Sequence, residues 1–314
     1  MREQVLIVGS GMMGSGIGAM SALAGNRTTL LDVDEARVKA GLEKALACIG
    51  LREANGLNSP AECQKARGLL ETGTDMEKSA GTARLVIEAI IENVEAKREL
   101  FARLDSLLPP DVPICSNTSG LRITDIGALC VHPERTVTTH FWLPAHLVPL
   151  VEVVMGEKTD RAVAEGVLHE LRRWKKSPVL VTRDLPGQLA NRVFQAIIRE
   201  SIDIVASGLA SAEDVDTAIS CGMAMRFPVW GPLKHLDAVG LDLGLSVQDT
   251  VLPDICSEKR ANAYIRNLVE AGDLGAKTGK GFYDWSERSM EADMRKRDRF
   301  IIEAVKLVDR LERE

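Results

Sequence analysis

Apolar and polar positions follow two regimes along the chain. Up to about residue 185, short apolar runs alternate with amphipathic stretches. Residues 4–9, 28–32, 85–88 and 114–118 read as strands, since each is a brief β-type run bounded by turn residues. Residues 12–24 read as a helix. A long helical region covers about 34–70, broken near Asn55-Gly56 and restarted at Ser59-Pro60, an N-cap followed by Pro at the first helical position. Residues 93–107 place charge on one face and Leu100, Phe101 and Leu104 on the other. Further strands are predicted at about 136–141, 149–155 and 178–182, with a helix at 160–175 opened by Asp160 between the last two. Such alternation predicts a parallel, doubly wound α/β sheet.

At Asp184-Leu185-Pro186-Gly187 the pattern changes, and the remainder is helical in period. Leu189, Val193, Ile197 and Ile204 share one face of 188–207, with Phe194, Ile198, Ile202 and Val205 beside them. That stripe is too wide for a helix with one exposed side. It predicts a helix buried within a bundle or against another subunit. The expected domains are therefore 1–185, α/β, and 186–314, all-α, ending in a charged helical tail over 286–314.

The first strand leads into Gly9-Ser10-Gly11-Met12-Met13-Gly14, and a second strand ends on Asp32. A strand, Gly-x-Gly-x-x-Gly, a helix and a later acid form the dinucleotide-binding fingerprint of a Rossmann-type domain. Gly9 allows the tight turn, Gly11 lets a pyrophosphate approach the backbone, and Gly14 lets helix and sheet pack closely. The helix N-terminus offers N–H groups to phosphate, with Met12 and Met13 in the same turn as cofactor-binding candidates. Asp32 is placed to accept from the ribose hydroxyls, which favours NAD over NADP.

The net charge of −6 gives no electrostatic case for nucleic acid or an anionic membrane. The six cysteines are scattered with no Cys-x-x-Cys pair and read as buried small hydrophobes, not as disulfides or a metal site. The five histidines show no metal-ligand spacing. No apolar stretch approaches membrane-spanning length, and the apolar run after Arg2 fits a strand better than a signal peptide. The expectation is a cytoplasmic protein without membrane or nucleic-acid partners.

Ligands of open α/β sheets bind beyond the carboxyl ends of the strands. Ser116-Asn117-Thr118-Ser119 and Thr138-Thr139-His140 lie at such ends. His140 is the strand-end histidine near an acid, Glu152, that could orient it, and an imidazole suits proton transfer during alcohol oxidation. Spacing alone leaves bland readings open: a core histidine for His140, an outward residue on an alternating strand for Glu152, and a turn or cap residue for Ser119.

With these residues assembled, the chain resembles the L-3-hydroxyacyl-CoA dehydrogenase family over about residues 3–285. The resemblance rests on Gly9-x-Gly11-x-Met13-Gly14-x-Gly16-Ile17, Val86-Ile87-Glu88-Ala89-Ile90-Ile91-Glu92-Asn93, Ser116-Asn117-Thr118-Ser119, His140-Phe141, Leu150-Val151-Glu152-Val153, Pro186-Gly187 with Asn191-Arg192, and Lys277-Thr278-Gly279-x-Gly281-Phe282-Tyr283. It implies His140 as the acid–base residue and Glu152 as its partner. Ser119 and Asn191 would contact the reacting oxygen or order the site, while Glu92, Lys97, Ser119 and Lys277 would sit near the cofactor. Without the family, Lys97 and Lys277 would read as surface lysines. A homodimer formed through the helical domain is also implied.

Two positions depart from the family. The usual His-Phe-Phe-Asn-Pro is here His140-Phe141-Trp142-Leu143-Pro144, so an amide becomes apolar. The lysine-rich helix that meets CoA phosphates is replaced by residues 42–52, where Lys44 and Arg52 are the basic positions. Phosphate recognition needs clustered charge or aimed N–H groups. The stretch Pro144–Glu152, which includes His146, and the helical tail look more like superfamily members that oxidise carnitine, gulonate or a pyridine carboxylate without CoA. The readings carried forward are an NAD-dependent dehydrogenase of a 3-hydroxyacyl-CoA or 3-hydroxy acid, a dehydrogenase of a small CoA-free hydroxy acid, and a weakly active NAD-binding structural protein, since an eye-lens crystallin resembles the same family.

Overall fold

The structure is a computed structural model describing residues 3–311. It divides into two compact units between Leu189 and Ala190.

The first unit is an eight-stranded sheet of order β3-β2-β1-β4-β5-β6-β7-β8. Its elements are β1 (Gln4–Val8), α1 (Met12–Leu23), β2 (Arg27–Leu31), α2 (Glu35–Ala54), α3 (Pro60–Arg67), β3 (Leu70–Gly73), α4 (Met76–Ala80), β4 (Ala83–Glu88), α5 (Val94–Leu107), β5 (Ile114–Ser116), α6 (Ile123–Ile126), β6 (Thr136–Phe141), β7 (Leu150–Met155), α7 (Arg161–Arg173) and β8 (Ser177–Val181). Along β1, alternate residues go to opposite faces. Val5 and Ile7 join a core with Ile17, Leu30 and Ala45, while Leu6 and Val8 join one with Phe101, Leu104 and Ile114. Helices thus cover both faces, and the central strands read as continuous apolar runs. The predicted Ser59 start of α3 is a full capping box with Glu62, and Asp160 caps α7 through the Ala162 N–H.

Two expectations are corrected. The helical region does not reach residue 70, because Leu70–Gly73 forms edge strand β3 and α4 follows. A four-residue edge strand with one large apolar residue gives no periodic signal. The sheet is also not wholly parallel, since β7 runs antiparallel to β6, with His140 directly opposite Glu152. The connection between them is too short for the crossover that a parallel partner requires.

The second unit contains α8 (Ala190–Ser207), α9 (Ala212–Ala218), α10 (Pro232–Val239), α11 (Leu241–Val251), α12 (Ala263–Glu270) and α13 (Met290–Leu311). No residue of α8 is buried in the single chain, and Val193 and Phe194 are about half exposed, so the wide stripe is not enclosed by a bundle of this chain. The cysteines are free; Cys63 and Cys115 are buried as expected, but Cys221 is exposed.

Candidate active site

The glycine-rich turn explains itself piece by piece. Gly9 has a φ of +97°, and a Cβ there would meet the Ala89 carbonyl oxygen at 2.7 Å. Gly11 is different: its φ of −64° suits any residue, and nothing of the protein lies within 4 Å of where its Cβ would be. The space above Gly11 is therefore open to a ligand. The adjoining α1 has no side-chain cap, so its first N–H groups are left for an anion. Met12 is exposed at the helix start, and Met13 packs toward the core.

Asp32 stands at the end of β2. Its Oδ2 accepts from the Ser10 N–H and hydroxyl, both at 2.8 Å, and its Oδ1 from the Val33 N–H at 2.8 Å. Burial pushes this carboxyl up, but the Ser10 and Val33 N–H groups, the Ser10 hydroxyl and the Arg37 charge outweigh it, so the group sits below its ordinary value and stays ionised. A cavity of about 390 Å³ lined by Gly9, Asp32, Val33, Met76, Ile90 and Arg103 adjoins it. An open glycine, an uncapped helix start and an ionised strand-end acid fit NAD.

The loop after β5 is organised by two carboxylates. Glu88 is fully buried and accepts from the Lys97 ammonium at 2.5 Å and the Ser116 hydroxyl at 2.6 Å. Glu92 accepts from the Thr118 hydroxyl at 2.6 Å and from the N–H groups of Ser119 and Gly120 at 3.1 and 3.2 Å. Lys97 lies 3.5 Å from Glu92 as well. Burial works against the Glu92 charge, but Thr118, Lys97 and the loop N–H groups win, so this carboxyl also sits low. The surface reading of Lys97 is overturned. It lies on the same α5 face as Phe101 and Leu104 and is fully buried. Ser119 itself is exposed.

His140 and Glu152 meet across the β6–β7 pair. Nδ1 lies 2.7 Å from Glu152 Oε2, and both residues are buried. That excludes the outward reading of Glu152. The Trp142 indole N–H donates to the same Oε2 at 3.0 Å, and the Leu189 N–H donates to Oε1 at 2.8 Å. A carboxylate so served is an acceptor only, so Nδ1 carries the proton and the lone pair of neutral His140 is on Nε2. Asn117 Oδ1 accepts the Phe141 N–H at 2.9 Å, tying β6 to the loop that carries Ser119.

The segment between the two strands is held from behind. Lys176 donates to the carbonyls of Ala145 and Val148 at 2.5 and 2.8 Å, and its ammonium lies 5.8 Å from the centre of the Phe141 ring. Arg52 donates to the His146 carbonyl at 2.5 Å and to Asn58. One of the two basic residues of 42–52 is thus buried in structural work, leaving Lys44 exposed. Leu143 is half exposed.

Asn191 and Lys277 belong to the second unit. Asn191 is the second residue of α8 and partly buried; Lys277 is exposed in a loop closed by the Gly275–Lys280 bridge. Ser10, Asn117, Trp142, Leu189 and Lys176 carry no individual site role in the sequence reading. Trp142 had a visible signal, an N–H donor two positions from the histidine. The others act through backbone groups or a tertiary contact that no spacing shows. Among the described residues no cluster could hold a metal ion, and no helix is long and apolar enough to cross a membrane.

A nucleotide-binding sheet with a histidine–carboxylate pair at its ligand edge defines a dinucleotide-dependent dehydrogenase. The model of the 3-hydroxyacyl-CoA dehydrogenase NAD binding domain matches residues 4–185, and that of the C-terminal domain of the same enzymes matches 187–285. The chain belongs to the 3-hydroxyacyl-CoA dehydrogenase family. It is 35% identical to a probable 3-hydroxybutyryl-CoA dehydrogenase of Bacillus subtilis, over 91% of this chain and 99% of the relative. It is 30% identical to the 5-formyl-3-hydroxy-2-methylpyridine 4-carboxylate 5-dehydrogenase of Mesorhizobium japonicum, over 98% and 99%. A solved structure of a dehydrogenase of that pyridine compound, described as an NAD+ dependent dismutase, aligns with a TM-score of 0.90 at 29% identity, covering 98% of this chain and 99% of that one. An (S)-3-hydroxybutyryl-CoA dehydrogenase from Ralstonia eutropha aligns at 0.75 and 28% identity, over 91% and 100%.

Proposed function

We infer that this chain is an NAD-dependent oxidoreductase interconverting an L-3-hydroxyacyl-CoA, or a 3-hydroxy acid, and its 3-oxo form. The observation that carries this is the His140–Glu152 pair at the edge of an NAD-type sheet. The chemistry NAD supplies when bound is hydride acceptance. His140 Nε2 takes the hydroxyl proton, and Glu152 holds the ring in one tautomer and stabilises the imidazolium. In the reverse direction the imidazolium returns the proton to the carbonyl oxygen.

The remaining roles extend this reading. Residues 1–185 bind NAD through Gly9, Gly11, Met12, Met13, Gly14 and Asp32. Glu92, braced by Lys97, fixes the Ser119 loop, and Ser119 and Asn191 order the reacting oxygen. For Lys277 the family resemblance alone supports a role toward the cofactor. Residues 186–314 pair two copies into a homodimer in the cytoplasm. Supporting this is an apolar groove of about 680 Å³ lined by Val193, Ile197, Ile204, Val215, Ile219 and Met223. An enclosed pair with all its partners speaks against a purely structural protein.

A second reading, a CoA-free hydroxy acid, is favoured by the inward-turned Arg52 and by the fit of the whole chain to the pyridine carboxylate dehydrogenase. The test is NADH oxidation with acetoacetyl-CoA and, separately, with small 3-oxo acids and pyridine carboxylates, for the wild type and His140→Ala. Rapid turnover of acetoacetyl-CoA that the variant loses supports the CoA reading. Turnover confined to free acids supports the second, and none with either, while NADH still binds, defeats both.

A further inference from the structure

Glu152 carries more donors than a two-residue acid–base pair needs. Its Oε2 is shared between His140 Nδ1 at 2.7 Å and Trp142 Nε1 at 3.0 Å. The two rings lean on each other, with centroids 5.7 Å apart and a tilt of 50°. Trp142 is only partly buried, so it is not simply core filling. The family pattern set out above has phenylalanine there, which has no N–H to offer.

An indole N–H on a carboxylate is a charge-assisted hydrogen bond. It fixes the carboxylate's orientation. It also draws electron density from the very oxygen that an imidazolium would use. A carboxylate already satisfied stabilises a neighbouring cation less. We propose that Trp142 is a positioning residue for the acid–base pair, holding Glu152 toward His140 and making the His140 imidazolium more acidic than Glu152 alone would. The inference rests on the reading of His140 as the acid–base group.

From β7 the facing charged group is Glu152; β8 presents Val179 opposite it. The turn before β8 contributes Lys176, whose ammonium lies over Phe141 and is taken up by the Ala145 and Val148 carbonyls. The loop after β5 contributes the uncharged Asn117, and the segment before α8 the Leu189 N–H. Trp142 thus shares Oε2 with His140.

The test is an NMR titration of the ¹³C-histidine-labelled full chain, with the His140 resonance identified by its loss in His140→Ala. This reads the imidazole without turnover, so it is independent of which substrate proves correct. Trp142→Phe is expected to raise the His140 pKa by about half to one unit. Trp142→Gln, which keeps a donor, is expected to stay near the wild-type value, and Trp142→Leu takes the place of the Phe variant if that one does not fold. In active variants the pH limb of kcat/KM for alcohol oxidation should move up with the imidazole, while KM for NAD+ is unchanged. An unchanged or lowered pKa in Trp142→Phe, or an equal shift in Trp142→Gln, overturns the proposal.

Discussion

Gly14 lies so close to Gly9 that a Cβ on it would stand 1.8 Å from the Gly9 carbonyl oxygen. Gly11, between them, has no neighbour within 4 Å of its Cβ position. Gly14 is thus required by packing, whereas the space at Gly11 is left open, as the proposed NAD site needs. Gly11→Ala is expected to keep the thermal midpoint of the cofactor-free protein while weakening NADH binding at least tenfold. Gly14→Ala is expected to lose stability by about 1–3 kcal/mol or more, the cost of overpacking. Calorimetry and NADH titration on both variants separate the roles; equal effects would contradict this division.

Glu152→Gln removes the charge and keeps the shape. Its carbonyl oxygen cannot serve His140, Trp142 and Leu189 together. The expected loss in kcat is about 10²–10⁴-fold, the range for a positioned acid–base group. NADH affinity, measured by fluorescence, should change little.

The Lys97–Glu88 pair has no exposed side-chain surface. Replacing one partner leaves the other charged and buried. Lys97→Met should therefore cost about 3–5 kcal/mol in urea unfolding. The double variant with Glu88→Gln should recover part of that loss, because no fully buried charge is left unpaired there; Glu92, which also faces Lys97, is half exposed.

Lys176 gives a pH signature. Burial, and then the Arg52 charge, push its ammonium down to about 7. Between about pH 7 and the unfolded value near 10.4, the unfolded chain binds the extra proton. Stability from this group therefore rises with pH across that window and is lowest below pH 7. Lys176→Met should lack this rise. Denaturant unfolding of both proteins at pH 6, 8 and 9.5 checks it, and parallel curves would refute it.

The sheet was largely legible because its buried strands are unbroken apolar runs, while β3 was hidden by Glu71 and Thr72. The fingerprint glycines and Asp32 were legible because each obeys a local rule of turn or phosphate geometry. The His140–Glu152 contact was legible as a pairing of types but not as a register. Its clue was the short connection from Phe141 to Leu150, which only a strand reversal accommodates. Burial of Lys97 was also written in the sequence, in its place on the stripe of Phe101 and Leu104. What spacing cannot supply is a donor such as the Leu189 N–H, which reaches Glu152 from 37 positions away.

The reversal at β7 makes the acid–base pair a neighbourhood affair. His140 and Glu152 are 12 positions apart on one hairpin, so they find each other without the long crossovers that assemble the rest of the sheet. They also share one weakness. A strand presents alternate faces at successive residues, so inserting or deleting a single residue within either arm would turn one member of the pair away from the other. The connecting segment can drift in sequence, but the arms must keep their count. Indel scanning of this hairpin would draw the outline of the catalytic machinery more sharply than point substitution.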